Sequence, residues 1–196
     1  MKKFAPQPED LKQEFEAKNE ILRSKFLEIS SQDYLKTVFP DKSEDDELPV
    51  IFGAIREGGV EQKGTVKRIK FGEIWDIAFY QNAYLSYCDF KKNYYHSKTL
   101  EKVRGFVVDC DGVTSTKLTK ILRYLWNFLP AEPTHIVNSG QGVHFVYLLS
   151  KPVEVRGLRW SINRLNKAIQ ESFSEFLEVD KLQWFIHTAF LDFRRR

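Results

Sequence analysis

Hydrophobic residues recur at helical spacing near both ends of the chain and form short apolar runs in its middle. Residues 8–36 place leucine, isoleucine or phenylalanine about every three or four positions among many charges, which predicts a helix. The same period returns in 115–130, where a Ser-Thr pair can cap the first turn and a proline ends the pattern, and again in 155–176. These three segments are predicted to be helices.

The segments predicted to be strands lie between these helices. Short apolar or alternating runs bounded by glycine and polar residues are typical of strands, and they occur at 48–55, 66–71, 105–111, 134–138 and 143–149. Residues 89–102 are polar and aromatic, and we interpret them as a loop or an irregular helix. Strands that alternate with helices predict an α/β or α+β fold.

A polar, acidic stretch at 41–47 separates the first predicted helix from the strands. Such a stretch is typical of a linker or an exposed loop. We therefore place the main boundary there, which gives an N-terminal helical segment, 1–45, and a larger domain, 46–196.

The composition narrows the class of protein. Hydrophobic residues make up 42% of the chain and charged residues 29%, which is typical of a globular protein. The net charge of +3 permits a nucleic-acid partner but does not by itself indicate one.

The two cysteines do not form the paired spacing of a zinc site. Because neither a signal peptide nor a membrane-spanning run of about 20 apolar residues is visible, we expect a soluble, cytoplasmic protein with no membrane partner. We also expect a monomer.

Two aspartates follow the apolar run 105–108. Residues i and i+2 of a strand point to the same face, so Asp109 and Asp111 are expected to project together while Cys110 points into apolar packing. Two close carboxylates repel each other, and a divalent cation relieves that repulsion. Magnesium takes oxygen ligands from one or two carboxylates and completes its shell with water and phosphate oxygens. The alternative is a strand that ends in solvent with an Asp-Gly turn.

A glycine-rich turn, Ser-Gly-Gln-Gly-Val-His at 139–144, joins the last two predicted strands. Gly140 and Gly142 allow a tight turn and a close approach to a ligand, and successive amides of such a turn can bind phosphate oxygens. Ser139 adds a hydroxyl, and His144 can donate to a phosphate or assist proton transfer. A plain hairpin turn with a structural histidine is the alternative. The interval of roughly 30 residues from the aspartate pair, the size of a βαβ unit, makes the combination more specific.

A third acid follows the last predicted helix. Asp180 comes directly after an apolar residue, and a two-metal phosphoryl-transfer site needs a further carboxylate to complete it. Asp180 is the first candidate and Glu178 the second. A surface acid after a helix is the alternative.

These three elements, in this order, resemble the motifs of the archaeo-eukaryotic primase superfamily, in particular its small primase-polymerases of plasmids, phages and other mobile elements. That family carries an apolar strand ending in Asp-x-Asp, a Ser-x-His-type element and an apolar residue followed by aspartate. The corresponding residues here are 107–111, 139–144 and 179–180. Residues 83–90 are also similar to the family's stretch before the first motif, so the resemblance covers 76–180.

The resemblance implies an α/β (α+β), archaeo-eukaryotic primase-like catalytic domain behind an N-terminal helical appendage. Asp109, Asp111 and Asp180 would bind two Mg²⁺ or Mn²⁺ ions, and with His144 they would form the catalytic set. The reaction would be attack of a 3′-hydroxyl on the α-phosphate of a nucleotide, with loss of pyrophosphate.

The resemblance also implies the binding partners. Ser139, Gly140, Gly142 and His144 would contact the triphosphate of a nucleoside triphosphate. Single-stranded DNA would be the template for primer synthesis, and a helicase or another replication protein would be a further partner.

Two other functions fit part of the pattern. Residues 106–112 also resemble the first motif of haloacid-dehalogenase-like phosphatases, in which Asp109 would be the nucleophile and Asp111 an acid and base. Such enzymes place this motif near the start of the domain and carry a later lysine and acid pair, neither of which is found here. Alternatively, the chain is an inactive primase-like module for DNA or partner binding. It lacks the Arg-Leu-Pro-Gly-Thr-like segment that usually follows the third acid of the family.

Overall fold

The computed structural model describes residues 8–52, 56–57, 60–61, 65–74, 83–91, 99–128, 131–140, 142–173 and 190–192. Within these ranges the chain is an α+β fold of helices and antiparallel sheets, as the sequence predicts at this level. The helices are α1 (Pro8–Arg23), α2 (Ser31–Val38), α3 (Ser115–Phe128) and α4 (Arg159–Phe173). None of these four is long and apolar enough to cross a membrane.

The strands form two four-stranded sheets and a small hairpin. They are β1 (Glu47–Phe52), β2 (Arg56–Glu57), β3 (Val60–Glu61), β4 (Thr65–Lys70), β5 (Ala83–Ser86), β6 (Cys88–Phe90), β7 (Leu100–Cys110), β8 (His135–Asn138), β9 (Val143–Glu154) and β10 (Phe190–Asp192). The first sheet has the order β10-β5-β1-β4, the second has β6-β7-β9-β8, and β2 pairs with β3. Since β9 is antiparallel to both β7 and β8, these two strands run parallel and α3 connects them across β9, which is a split βαβ unit.

The second sheet is the central layer of the fold. On one face, Val107 and Val146 pack in a cluster with α2 and the first sheet. On the other face, Val108 and Phe145 pack against α3 and against Phe173 of α4. A strand that is covered on both faces reads as an unbroken apolar run rather than an alternating one, which explains the sequence of β7.

The helix predicted over 8–36 is divided, and the prediction of one continuous helix is wrong. Helix α1 ends at Arg23 and α2 begins at Ser31. The side chain of Ser30 caps α2, because its Oγ accepts the backbone N–H of Asp33 at 3.0 Å. The break allows the two helices to pack on opposite faces of the second sheet. Ile21 and Leu22 of α1 pack with α3, Val108 and Phe145, whereas α2 packs with the first sheet.

Other helix and strand boundaries differ from the predictions, because strand pairing in the second sheet includes residues whose composition does not indicate a strand. Most of β6 and the start of β7 lie inside 89–102, which the composition suggested was a loop or an irregular helix, because Asp89 pairs with Lys102 in the second sheet. Strand β9 continues to Glu154, five residues past the predicted end, and α4 begins only at Arg159. The strands predicted over 66–71 and 134–138 are confirmed within one residue at each end, and the strand predicted over 105–111 is confirmed but begins five residues earlier, at Leu100.

A buried arginine attaches the acidic stretch 41–47 to the second sheet. Arg104 of β7 is 2% exposed, and its guanidinium donates to both carboxylate oxygens of Asp89, at 3.0 and 2.8 Å, and to both of Asp41. Burial opposes the charge of Arg104, but the hydrogen bonds with the two acids outweigh it and raise the pKa of the guanidinium. The hydrogen bonding between Arg104 and Asp41 lowers the pKa of the Asp41 carboxyl. The domain boundary predicted at 45/46 remains a prediction.

We expect Arg104→Met to lower the free energy of unfolding by about 2–3 kcal/mol at pH 7. The substitution leaves two neighbouring carboxylates without their cation. Breaking a fully buried ion pair costs ~3–5 kcal/mol, and the expected loss of stability is smaller here because Asp41 is half-exposed. Arg104→Lys keeps the charge but loses the planar fork, so its loss should be smaller. Denaturant titration measures both, and a larger loss in the lysine variant would contradict this account.

The same experiment has a pH dependence. The pKa of Asp41 is lower in the folded state than in the unfolded state, so the stabilisation it contributes is present above its unfolded value of about 4. This stabilisation is lost as the pH falls through the folded value. The difference between the wild type and Arg104→Met should therefore shrink in acid.

Candidate active site

The register of β7 with β9 places Asp109 directly opposite His144. The Nε2 atom of His144 lies 3.1 Å from Oδ1 of Asp109, within ion-pairing distance. The histidine side chain is 6% exposed, whereas that of the aspartate is 25% exposed. The first two sequence motifs therefore meet in space, and Oδ1 of Asp109 is buried although the side chain as a whole is partly exposed.

The pair lies one row beyond the interface between the two sheets. Val107, Val146 and His135 form one row across β7, β9 and β8, and the cluster with the first sheet covers the two valines. Asp109 and His144 lie in the next row on the same face, since side chains two residues apart share a face. The candidate site is thus at the end of the sheet interface, where Asp109 and His144 lie beside Val137, which still packs against that cluster.

Asp111 and Ser139 continue this face past the ends of their strands. The last paired row is Cys110, Val143 and Asn138, and each of the two polar residues follows it by one position. Asp111 is exposed and begins a turn, which Gly112 completes with a φ of 63°. We call Asp109, Asp111, Ser139, Gly142 and His144 the sheet-end site.

Gly142 is packed against the aspartate motif. A Cβ at this position would collide with the carbonyl oxygen of Cys110 and would lie 3.3 Å from the Cα of Asp111. The glycine therefore allows the turn before β9 to approach the 110–111 peptide, a close approach that a side chain would prevent. Gly140, with a φ of 97°, supplies the positive φ that the turn needs.

Cys110 faces away from the sheet-end site, as predicted from the strand alternation. Its side chain is fully buried in the cluster with α3. Burial first, and then the negative charges of Asp109 and Asp111, raise the pKa of the thiol. The thiol is therefore protonated at neutral pH, and it is not a ligand of the sheet-end site.

A buried lysine of α1 holds the glycine turn. Lys18 is 1% exposed, and its Nζ donates to the carbonyl oxygen of Gly140 at 2.6 Å and to that of Gly142 at 3.2 Å. We did not identify this residue from the sequence, although a signal was present. Leu11, Phe15, Lys18 and Leu22 share one helical face, so the lysine occupies a position where an apolar residue is expected.

Asn138 connects the same turn to α1. Its Nδ2 donates to the backbone oxygen of Phe15 at 3.0 Å and to Oδ1 of Asn19 at 2.8 Å. Its Oδ1 accepts the backbone N–H of Gly140 at 3.2 Å. The amide of Gly140, which the sequence suggested as a phosphate donor, is therefore directed to Asn138 in this conformation.

Helix α1 also contacts the first turn of α3. A carboxylate oxygen of Glu14 accepts the backbone N–H of Ser115 at 2.7 Å. A negative charge at this position satisfies one of the first amides of the helix and interacts favourably with its dipole. Contacts from Glu14, Lys18 and Asn19 thus fix α1 to both sides of the sheet-end site.

The oxygen donors at this site suit a hard divalent cation. Asp109 and Asp111 offer two partly or fully exposed carboxylates, which match the one or two that magnesium takes from a protein. Among the described residues, no group of three or more His, Cys, Asp or Glu side chains is arranged to hold a metal ion. Asp180 and Glu178, the candidates for a third acid, lie outside the described residues.

We expect Gly142→Ala to destabilise the protein by about 1–3 kcal/mol, because the added methyl group meets backbone rather than a flexible side chain. The matched control is Gly157→Ala, where φ is 76° but the space around an added Cβ is open. That variant should lose only about 1 kcal/mol from backbone strain. Equal losses of stability in the two variants would show that close approach is not the reason for Gly142.

We expect Lys18→Met to loosen the turn that it holds. Two buried carbonyl oxygens lose their donor, which costs about 1–3 kcal/mol, and hydrogen exchange of the amides between 138 and 143 should become faster. Lys12→Met changes an exposed lysine of the same helix and serves as the control. Unchanged exchange in the Lys18 variant would mean that the lysine does not hold the turn.

Comparison with known proteins adds no family to this description. No family model matches the chain, and no curated protein or solved structure is significantly similar to it. The residues of the sheet-end site and the motifs that carry them are therefore the observations that bear on function.

Proposed function

We propose that this protein is a template-directed nucleotidyltransferase of the primase-polymerase type, which joins nucleotides on single-stranded DNA. The observation that carries the proposal is the meeting of two motifs that are far apart in the sequence. Asp109 lies 3.1 Å from His144, and Gly142 packs against the peptide that links the two aspartates. Carboxylates beside a glycine turn with a hydroxyl and an imidazole suit the binding of a metal-bound triphosphate.

The two aspartates have the metal-binding role in this proposal. Asp109 and Asp111 would hold Mg²⁺ or Mn²⁺ through their carboxylate oxygens, with Asp180 as a third ligand. Such ions, when bound, stabilise the negative charge on the attacking and leaving oxygens of phosphoryl transfer. The contact between His144 and Asp109 restricts the orientation of that carboxylate, so the histidine also acts as a positioning residue.

Ser139 and His144 are the proposed contacts of the triphosphate. Ser139 is half-buried and follows the last paired residue of β8, whereas His144 is buried beside Asp109. The serine hydroxyl can donate to a phosphate oxygen. Gly140 and Gly142 contribute the shape of the turn, since the Gly140 amide donates to Asn138 and both glycine carbonyls accept from Lys18. In this proposal the glycines shape the turn, and the side chains of Ser139 and His144 make the contacts.

The proposed reaction is an in-line displacement at phosphorus. The 3′-oxygen of the primer forms a bond to the α-phosphorus, the bond from that phosphorus to the bridging oxygen breaks, and pyrophosphate leaves. The hydroxyl proton passes to solvent. The sheet-end site would contribute position and charge stabilisation, which are the main terms in phosphoryl transfer.

The test is synthesis on single-stranded DNA. The protein is incubated with template, labelled nucleotides and Mg²⁺ or Mn²⁺, and the products are separated by size. We expect a ladder from the wild type and a loss of at least about 100-fold in the double variant Asp109→Asn, Asp111→Asn, because several kcal/mol of charge stabilisation is removed. Asp45→Asn, which changes a highly exposed carboxylate, is the matched control.

Other results would overturn the proposal. Release of phosphate from a simple phosphomonoester without any ladder would favour the dehalogenase-like phosphatase with Asp109 as nucleophile. Absence of both activities, together with no binding of nucleotide or metal by a correctly folded protein, would favour an inactive primase-like binding module. A ladder that persists in the double variant would place the activity elsewhere.

A further inference from the structure

The start of α4 carries an exposed aromatic residue that has no role in the core. Trp160 is 72% exposed and is the most exposed aromatic side chain in the described part of the chain. An indole ring in water lacks the hydrophobic stabilisation that burial would give it. Aromatic residues, tryptophan among them, are enriched at interaction surfaces, so what surrounds this ring decides whether it is one.

Positive charge is concentrated around this tryptophan. The stretch 151–173 contains five cationic residues and two acidic ones, so it carries an excess of +3, equal to the net charge of the whole chain. The remainder of the chain is therefore balanced. The five cations are Lys151, Arg156, Arg159, Arg164 and Lys167, and each is exposed.

The geometry of α4 places Trp160, Arg164 and Lys167 along one side of the helix. Arg164 follows Trp160 by one helical turn, and its guanidinium carbon lies 5.2 Å from the centroid of the indole ring. Lys167 follows Arg164 by three residues on the same side of the helix. Arg156 and Arg159 come just before the ring, in the turn that leads into the helix and at its first residue. We call Arg156, Arg159, Trp160, Arg164 and Lys167 the α4 surface.

We infer that the α4 surface binds single-stranded nucleic acid, with a base stacked on Trp160 and the neighbouring phosphates beside the arginines. Unpaired bases stack on aromatic rings, and cations along the same groove or ridge hold the backbone. A membrane surface fits less well because the exposed apolar residues do not form one stripe. Leu165 lies about 140° around the helix from Trp160, and cations lie next to the ring.

The α4 surface is separate from the sheet-end site. Strand β9 begins beside the site and ends at Glu154, shortly before α4, so Trp160 and the arginines before it lie toward the opposite end of the second sheet. Helix α4 then runs back along the sheet, where Gln170 donates to the carbonyl oxygen of Val107. A single strand held at the α4 surface would be a template contact outside the catalytic residues. The inference rests on the proposed function for the biological role of the strand, but the binding itself depends on different residues.

The test measures binding of a fluorescein-labelled oligothymidylate of about 20 nucleotides by fluorescence anisotropy, long enough to exceed a site of ~4–16 nucleotides. We expect Trp160→Ala to weaken binding about tenfold and Trp160→Phe to restore most of it, because a stacking face is retained. Arg164→Gln should weaken binding and reduce the dependence of log Kd on log salt by about 0.7, the value for one phosphate contact on a single strand.

The matched control is Trp126→Ala. This tryptophan is also exposed, at 44%, and has a cation over its ring, since Nζ of Lys25 lies 4.8 Å from the ring centroid. Its replacement should change the affinity less than twofold. Equal effects of the Trp160 and Trp126 variants, or no effect of either, would overturn the inference. Vesicles of phosphatidylcholine and phosphatidylglycerol form a second arm, and Trp160-dependent binding to vesicles but not to the oligonucleotide would identify a membrane surface instead.

The double variant Asp109→Asn, Asp111→Asn separates this inference from the proposed function. It should bind the oligonucleotide with the affinity of the wild type, because it changes neither the ring nor the cations. Trp160-dependent binding without any synthesis would support the α4 surface and count against the nucleotidyltransferase. Synthesis by a protein whose affinity is indifferent to Trp160 would support the enzyme and reject the α4 surface.

Discussion

The pairing of β7 with β9 is the constraint on which the rest of the structure depends. A slip of one residue would place Asp109 opposite a hydrophobic partner and turn Cys110 toward the first sheet. Both faces of the two strands resist such a slip, because Val107 and Val108 are buried on opposite sides. Close approach at Gly105 adds to this, since a Cβ there would lie 2.6 Å from the carbonyl oxygen of Tyr147. The contact between Asp109 and His144 is therefore set by packing along the strands rather than by a flexible loop.

Much of this central sheet could be predicted from the sequence, for a physical reason. Strands buried on both faces are apolar throughout, and the aspartate pair ends the most apolar of them, so both the strand and the orientation of Cys110 follow from alternation. The register between β7 and β9 could not be predicted, because the spacing of motifs along the chain does not specify which residues face each other. The turn, the glycine contacts and the burial of both faces decide it together.

The charged residues of the interior could not be predicted in the same way. Lys18 and Arg104 look like the many surface cations around them, and the partners of Lys18 are more than 100 residues away in the sequence. Their burial depends on carbonyl oxygens and carboxylates that only the folded chain brings together. The break between α1 and α2 was missed for a related reason, since the helical period continues across it while a serine cap and packing on two layers divide it.

These two buried cations explain why the N-terminal segment matters to the candidate site. A lysine or arginine in the interior costs several kcal/mol unless its donors are satisfied. Lys18 is satisfied by the carbonyl oxygens of the glycine turn, and Arg104 by Asp41 and Asp89. If α1 moved away from the glycine turn, Lys18 would lose these two acceptors, and if the stretch 41–47 moved away from β7, Arg104 would lose Asp41. Separating α1 from the glycine turn therefore has a high cost in free energy. The shape of the turn beside Asp109 and His144 is thus determined jointly by the central sheet and by a helix that begins the described chain.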